Sequence, residues 1–147
     1  MSLEKLEQYI TTGDLPSLNV LLTQNPALAK TITSHHVSPI MLSCYYKKPA
    51  ITALLLKFVD EINLFEAAAA GKFDVVAHLV YTHPEAINFY AGDGFTPLGL
   101  ACYFGQHEIA RYLVLKGAEV NMPSNNGFNV FRYTLLLQAI ILILHVC

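Results

Sequence analysis

Charge is scarce in this chain. Only 14% of its 147 residues are Asp, Glu, Lys or Arg, and nine basic against eleven acidic residues leave a net charge of −2. A protein that tracks a phosphate backbone needs a basic stripe, so nucleic acid is excluded as an expected partner. Cysteine is scarcer still. The three, at 44, 102 and 147, are odd in number and form no CxxC pair, which is not the framework of a disulfide-stapled secreted fold. The opening MSLEKLEQYI mixes both signs of charge among leucines and holds no apolar run. No secretion signal is read there, and a reducing cytoplasm is the expected compartment. Low-complexity tracts are missing too, and with 54% apolar residues intrinsic disorder is excluded. A globule of this length buries roughly 70% of the surface of its unfolded chain, enough to fold without a metal or disulfide staple.

What the chain does have is an internal repeat. GKFDVVAHLVY from Gly71 lies over GQHEIARYLVL from Gly105 at a shift of 34 residues, with Val75 on Ile109, Leu79 on Leu113 and Val80 on Val114. Apolar positions at i, i+4 and i+5 are one stripe of a helix. Each glycine stands just before its helix, where a tight turn needs a positive φ. A second comparison, at a shift of 58, aligns the two halves. Leu6 meets Leu64, Gly13 meets Gly71, Leu21 meets Leu79, Pro26 meets Pro84, and SPIMLSCYY from Ser38 meets TPLGLACYF from Thr96. Ile51 and Leu55 meet Ile109 and Leu113.

Each unit reads as helix, turn, helix and connector. Ser38-Pro39 and Thr96-Pro97 supply a hydroxyl N-cap followed by proline at the first helical position, where its missing N–H costs nothing. Asn63 and Glu66 have the spacing of a capping box. Asp74 and Glu108 fall in the first turns of second helices, where the dipole favours a carboxylate. AGDG at 91–94 and NNG at 125–127 are turn signals. The segmentation is four units, about 3–36, 37–63, 64–93 and 94–126, within a repeat domain 1–126, followed over 127–147 by a partial fifth repeat or an apolar C-terminal helix. The second unit is short: its second helix, around Ile51 to Phe58, runs almost directly into Asn63, so roughly ten residues of connector are missing there.

At this point the motifs reach a family. DGFTPLGLACYFGQHEIARYLVLKGAEVN over 93–121 resembles the ankyrin repeat along its whole length, in its Thr-Pro-Leu start, Ala101, Gly105 and closing GAEVN. Over 3–92 the resemblance is weaker. FEAAAAG and Ile87-Asn88 match in the third unit without the Thr-Pro, and the first two units are carried by the internal alignment. A tetratricopeptide reading shares the period but would not want Thr-Pro-Leu at the start or GAEVN at the end. The resemblance implies an all-α solenoid of about four helix-turn-helix units plus a partial fifth, with short finger connectors and a concave groove. Gly99 and Met41 stand where the family usually has a histidine bonded to the cap threonine, which implies a thinner cap network and modest stability.

Stacked units contact only their neighbours and offer a long surface rather than an enclosed pocket. The resemblance places partner contacts at finger tips and at the C-terminal end of first helices. On this chain these are Val37, Tyr45 and Tyr46 in the second unit, Asp93, Phe95, Tyr103 and Phe104 in the fourth, and Ser124, Asn125 and Phe128 in the last connector. Tyr45-Tyr46 and Tyr103-Phe104 recur at equivalent sites, and aromatic anchors dominate interface energetics. The competing reading packs one member of each pair against a neighbouring unit.

No chemistry is expected. Cys44 and Cys102 are equivalent in the repeat, as small core residues would be. The histidines at 35, 36, 78, 83 and 107 lack the i, i+4 spacing and the companions of a metal site. No glycine-rich phosphate loop follows a strand, and Asp93-Gly94-Phe95 sits in a turn before a helix. The expected function is non-enzymatic binding of a partner protein, with no cofactor, metal or small-molecule substrate. An alternative is self-association through 131–147, whose sequence FRYTLLLQAIILILHVC ends apolar where a solenoid normally has a polar cap. Leu135 to Val146, 12 residues including His145, is too short for a bilayer core of ~30 Å. Packing on the fourth unit, in a truncated or tail-altered form of a longer repeat protein, is the expectation for this segment.

Overall fold

The computed structural model describes residues 2–92 and 94–119. It forms two compact units, Met1–Ile62 and Asn63–Cys147, and among the described residues it holds eight α-helices and no strand. The first unit carries α1 (Ser2–Thr12), α2 (Leu15–Gln24), α3 (Pro39–Tyr45) and α4 (Pro49–Leu56); the second carries α5 (Leu64–Ala70), α6 (Phe73–Thr82), α7 (Pro97–Tyr103) and α8 (His107–Leu115). Within the first unit α1 packs on α2 and α3, and α2 on α4; within the second, α5 packs on α6 and α7, and α6 on α8. First helix stacks on first helix and second on second. The fifth-repeat segment 127–147 lies outside the described residues.

The shift of 58 seen in the sequence is also a shift of the backbone. α2 and α6, α3 and α7, and the 3-10 turns Pro26–Lys30 and Pro84–Asn88 coincide end to end under it. Local chemistry explains why. Ser38 and Thr96 sit in extended backbone and accept the amides of Met41 and Gly99 at 3.3 and 3.0 Å, with proline at the first helical position. Asn63 and Glu66 close a capping box on α5: the Glu66 amide donates to Asn63 Oδ1 at 2.8 Å and the Asn63 amide to Glu66 Oε1 at 3.1 Å. α4 begins at Pro49 rather than at Ile51, because the proline again takes the first position.

Helix ends are as regular as helix starts. α7 closes in a Schellman turn: the Gln106 amide donates to the Ala101 carbonyl at 2.8 Å and the Gly105 amide to the Cys102 carbonyl at 3.2 Å. Asp14 and Gly13 after α1, and Lys48 and Lys47 after α3, make the same pair of bonds. The pivot of such a turn must be left-handed. It is Gly13 (φ 77°) and Gly105 (φ 71°), but Lys47 (φ 55°) after α3.

Burial follows the 58-residue frame. Leu18 and Leu22 in α2 answer to Val76 and Val80 in α6, and Ile51, Thr52 and Leu55 in α4 to Ile109, Ala110 and Leu113 in α8; all are buried. The 34-residue frame is less faithful: Val75 and Leu79 are only half-buried. With about 100° between successive residues, Val76 and Val80 occupy the middle of the apolar face of α6 and Val75 and Leu79 its edges. At two equivalent positions the core changes chemistry. Ala101 and Ala110 meet their counterparts as Ser43 and Thr52, both buried, whose hydroxyl oxygens lie 2.6 Å apart.

The connector between α4 and α5, 57–63, has half the length of those between α2 and α3 (25–38) and between α6 and α7 (83–96). Each long connector folds as a 3-10 turn and then a tight finger. In one finger the Thr33 amide donates to the Val37 carbonyl at 2.9 Å and the His36 amide to the Thr33 carbonyl at 2.9 Å. In the other, the Ala91 amide donates to the Phe95 carbonyl at 2.8 Å and the Gly94 amide to the Ala91 carbonyl at 2.9 Å.

Candidate partner-binding surface

In the second unit the finger and the end of α7 bring three aromatic residues together. Phe95, expected at the surface, is buried at 5% exposure. As the acceptor that closes the finger, its backbone is held against the start of α7, and its side chain is drawn inward like that of Val37 at the equivalent place. Its ring lies 5.3 Å from that of Tyr103, centroid to centroid. Tyr103, the last residue of α7, is 50% exposed. Phe104 is half-buried and meets Tyr103 edge to face at 5.1 Å and 87°. Tyr103 therefore offers one face outward while two rings fix its orientation. Both separations fall in the range where aromatic pairs attract.

Below these rings the turn is fixed from within the unit. The Gln106 side chain crosses to α5 and donates from Nε2 to the Ala69 carbonyl at 3.2 Å. Gly71, left-handed at φ 79°, lies beneath it, where a Cβ would come within 2.8 Å of Gln106 Oε1. The exit of α8 is tied in as well, the Glu119 amide donating to Asn88 Oδ1 at 2.9 Å.

The first unit uses the equivalent residues differently. Tyr45, the counterpart of Tyr103, is half-buried, and Tyr46, the counterpart of Phe104, is the exposed one at 42%. One member of each pair faces solvent, but not the same member. Tyr46 meets the His35 ring edge-on at 6.4 Å and 79°. His35 and His36, weighed in the sequence only as metal ligands, and Lys47, not singled out there, are all exposed. Continuing the self-alignment one residue beyond Tyr46 would have set Lys47 on Gly105 and exposed the left-handed lysine. Asp93, Ser124, Asn125 and Phe128 lie outside the described residues.

Titratable groups add little chemistry. Burial alone pushes the Cys102 thiol up to about 11, the opposite of an activated nucleophile. The Glu7 carboxyl is held below its ordinary value, first by the Ser34 hydroxyl and then by the Ser34 amide, which donate to it at 2.6 and 2.7 Å, with His35 adding attraction. Among the described residues no group of three or more His, Cys, Asp or Glu is placed to hold a metal ion, and no helix is long and apolar enough to cross a membrane.

Two overlapping stretches, 40–124 and 64–142, match the family described as ankyrin repeats (3 copies). Alpha-latrocrustotoxin-Lt1a of Latrodectus tredecimguttatus is 29% identical over 131 residues, covering 81% of this chain and 9% of that protein. Ankyrin repeat and SAM domain-containing protein 6 of Rattus norvegicus is 35% identical over 75 residues, 51% of this chain and 8% of that protein. BCL-6 corepressor-like protein 1 of Mus musculus is 37% identical over 71 residues, 48% and 4% respectively. The chain spans less than a tenth of the length of each of these three relatives.

Proposed function

As the chain belongs to the ankyrin-repeat family, we propose that it is a non-enzymatic recognition module that binds a partner protein in the groove left by stacked repeats. Ankyrin repeats generally mediate protein–protein interaction. The repeats we assign run over about 3–36, 37–63, 64–93 and 94–126. The binding residues are Tyr45 and Tyr46, Tyr103 and Phe104, with Asp93, Asn125 and Phe128 from connectors outside the described residues. Phe95 serves as the floor under Tyr103 and not as a contact.

The observation that carries this reading is the state of Tyr103. An exposed ring already clamped between Phe95 and Phe104 loses little rotamer freedom on binding, and such preorganised aromatic anchors give the largest binding terms. Replacing Tyr103 by Ala should weaken a partner by ~2 kcal/mol or more and leave the helical circular-dichroism spectrum unchanged. Unfolding of the Tyr103→Ala protein would assign the ring to the core and refute the site.

A further inference from the structure

The two units share one backbone plan, so their differences mark what each surface is for. At the finger and the end of the first helix the second unit has Asp93, Gly94, Phe104, Gly105 and Gln106. At the equivalent positions the first unit has His35, His36, Tyr46, Lys47 and Lys48. Every change adds a cationic or hydrogen-bonding side chain, and none adds a carboxylate. Two of them sit where the backbone resists them. His36 (φ 64°) and Lys47 (φ 55°) occupy left-handed positions that are glycine in the second unit, Gly94 (φ 89°) and Gly105 (φ 71°). A side chain kept at such a position works against folding, and strain of this kind gathers at functional sites.

These residues are neighbours in space. The His35 and Tyr46 rings touch at 6.4 Å, which brings His36, beside one, and Lys47, beside the other, to the same surface. His35, His36, Tyr46 and Lys47 are exposed; Lys48 is half-buried, its side chain running along Gly13 at the turn between α1 and α2. The Glu7 carboxylate, which faces His35, is engaged by the Ser34 amide and hydroxyl. Against that one carboxylate, which keeps its negative charge, stand Lys47 and Lys48, so the surface carries a small positive excess with an aromatic face at its middle.

We propose that this surface of the first unit docks a short acidic segment of a partner protein, its Asp and Glu carboxylates paired with Lys47, Lys48 and the imidazoles and its apolar side chain on Tyr46. The inference rests on the reading of the chain as a protein-binding module and specifies the chemistry of the partner. A peptide fits better than a polyanion or a lipid surface, because the whole chain is net negative at −2 and only two of its nine Lys and Arg, Lys47 and Lys48, stand at this surface.

The test is a titration of the ¹⁵N-labelled full chain with a pool of Asp/Glu-rich peptides bearing one phenylalanine at varied positions, with the Asn/Gln version of the same pool, and with phosphatidylserine vesicles. The acidic pool is expected to shift the amides of His35, His36, Tyr46 and Lys47, to bind about tenfold or more tightly than its neutral counterpart, and to weaken with salt. The His36→Gly/Lys47→Gly protein should have an equal or higher thermal midpoint and about tenfold weaker binding. Lys47→Asn, which suits a left-handed backbone, gives a second uncharged version should the double change disturb folding. Equal binding of the neutral pool, binding to vesicles alone, no acidic binding, or unchanged affinity in both variants each overturns the proposal. If it falls while a captured protein partner is still lost on Tyr103→Ala, only the acidic chemistry is refuted. If that capture fails too, the module reading falls with it.

Discussion

Ser43 and Thr52 offer a direct measure of how the first unit holds its two stacked layers. Ser43 Oγ donates to the Ile40 carbonyl at 2.6 Å, lies 2.6 Å from Thr52 Oγ1, and Thr52 Oγ1 reaches the Lys48 carbonyl at 3.2 Å. Two protons serve these contacts, and the shortest arrangement runs from Thr52 to Ser43 to the Ile40 carbonyl. Removing Ser43 as Ala costs one buried hydrogen bond, about 1 kcal/mol, since the Thr52 proton can turn to Lys48. Replacing Thr52 by Val keeps the shape and leaves Ser43 without its donor, at about 1 kcal/mol again. The Lys48 carbonyl still accepts the Thr52 backbone amide at 3.0 Å, so that acceptor is not orphaned by the change. In the double variant no hydroxyl remains to be satisfied, and Ala101 with Ala110, both fully buried, show that the same backbone packs without either oxygen. Starting from Ser43→Ala, the second change loses only the longer Thr52–Lys48 contact at 3.2 Å, so the pair should cost less than the sum of about 2 kcal/mol, with a coupling of up to about 1 kcal/mol. Equilibrium urea unfolding of the four proteins reads this cycle. Strict additivity of the two single changes would refute the chain of hydrogen bonds.

Two further predictions concern protons. The Glu7 carboxyl is lowered by its Ser34 bonds, so the stability it contributes is present above its ordinary value of 4.5 and is lost as pH falls through the lower folded value. The thermal midpoint of the parent should drop toward that of Glu7→Gln as acid is added below that value; a constant gap across the acid limb would refute the linkage. Because burial raises the Cys102 thiol to about 11, iodoacetamide near neutral pH should label half-buried Cys44 faster than Cys102, read by peptide mass mapping, with the difference abolished in urea. Equal labelling of the two in the folded protein would refute the burial argument.

How much of this was written in the sequence depends on how local the deciding physics is. Caps, prolines and left-handed glycines are set by a few neighbouring residues, and so Ser38, Thr96, Gly13 and Gly105 stand where the self-alignment placed them, and Asn63 with Glu66 where their spacing did. Exposure of a ring is decided by its neighbours in three dimensions. Nothing in the pairs Tyr45-Tyr46 and Tyr103-Phe104 says that the first unit would turn out its second ring and the second unit its first. That choice follows from what lies beside them, the His35 ring next to Tyr46 and the Phe95 ring under Tyr103. Val37 and Phe95, both expected as partner contacts because the resemblance places contacts at finger tips, are instead buried, since each closes its finger and turns its side chain inward. The same logic separates scaffold from function in this chain. Where both units keep the residue type, as at Leu22 and Val80 or Ile51 and Ile109, packing dictates it. Where one unit has glycine and the other holds lysine in the same left-handed turn, packing does not account for the lysine, and the docking surface proposed above supplies a reason for it.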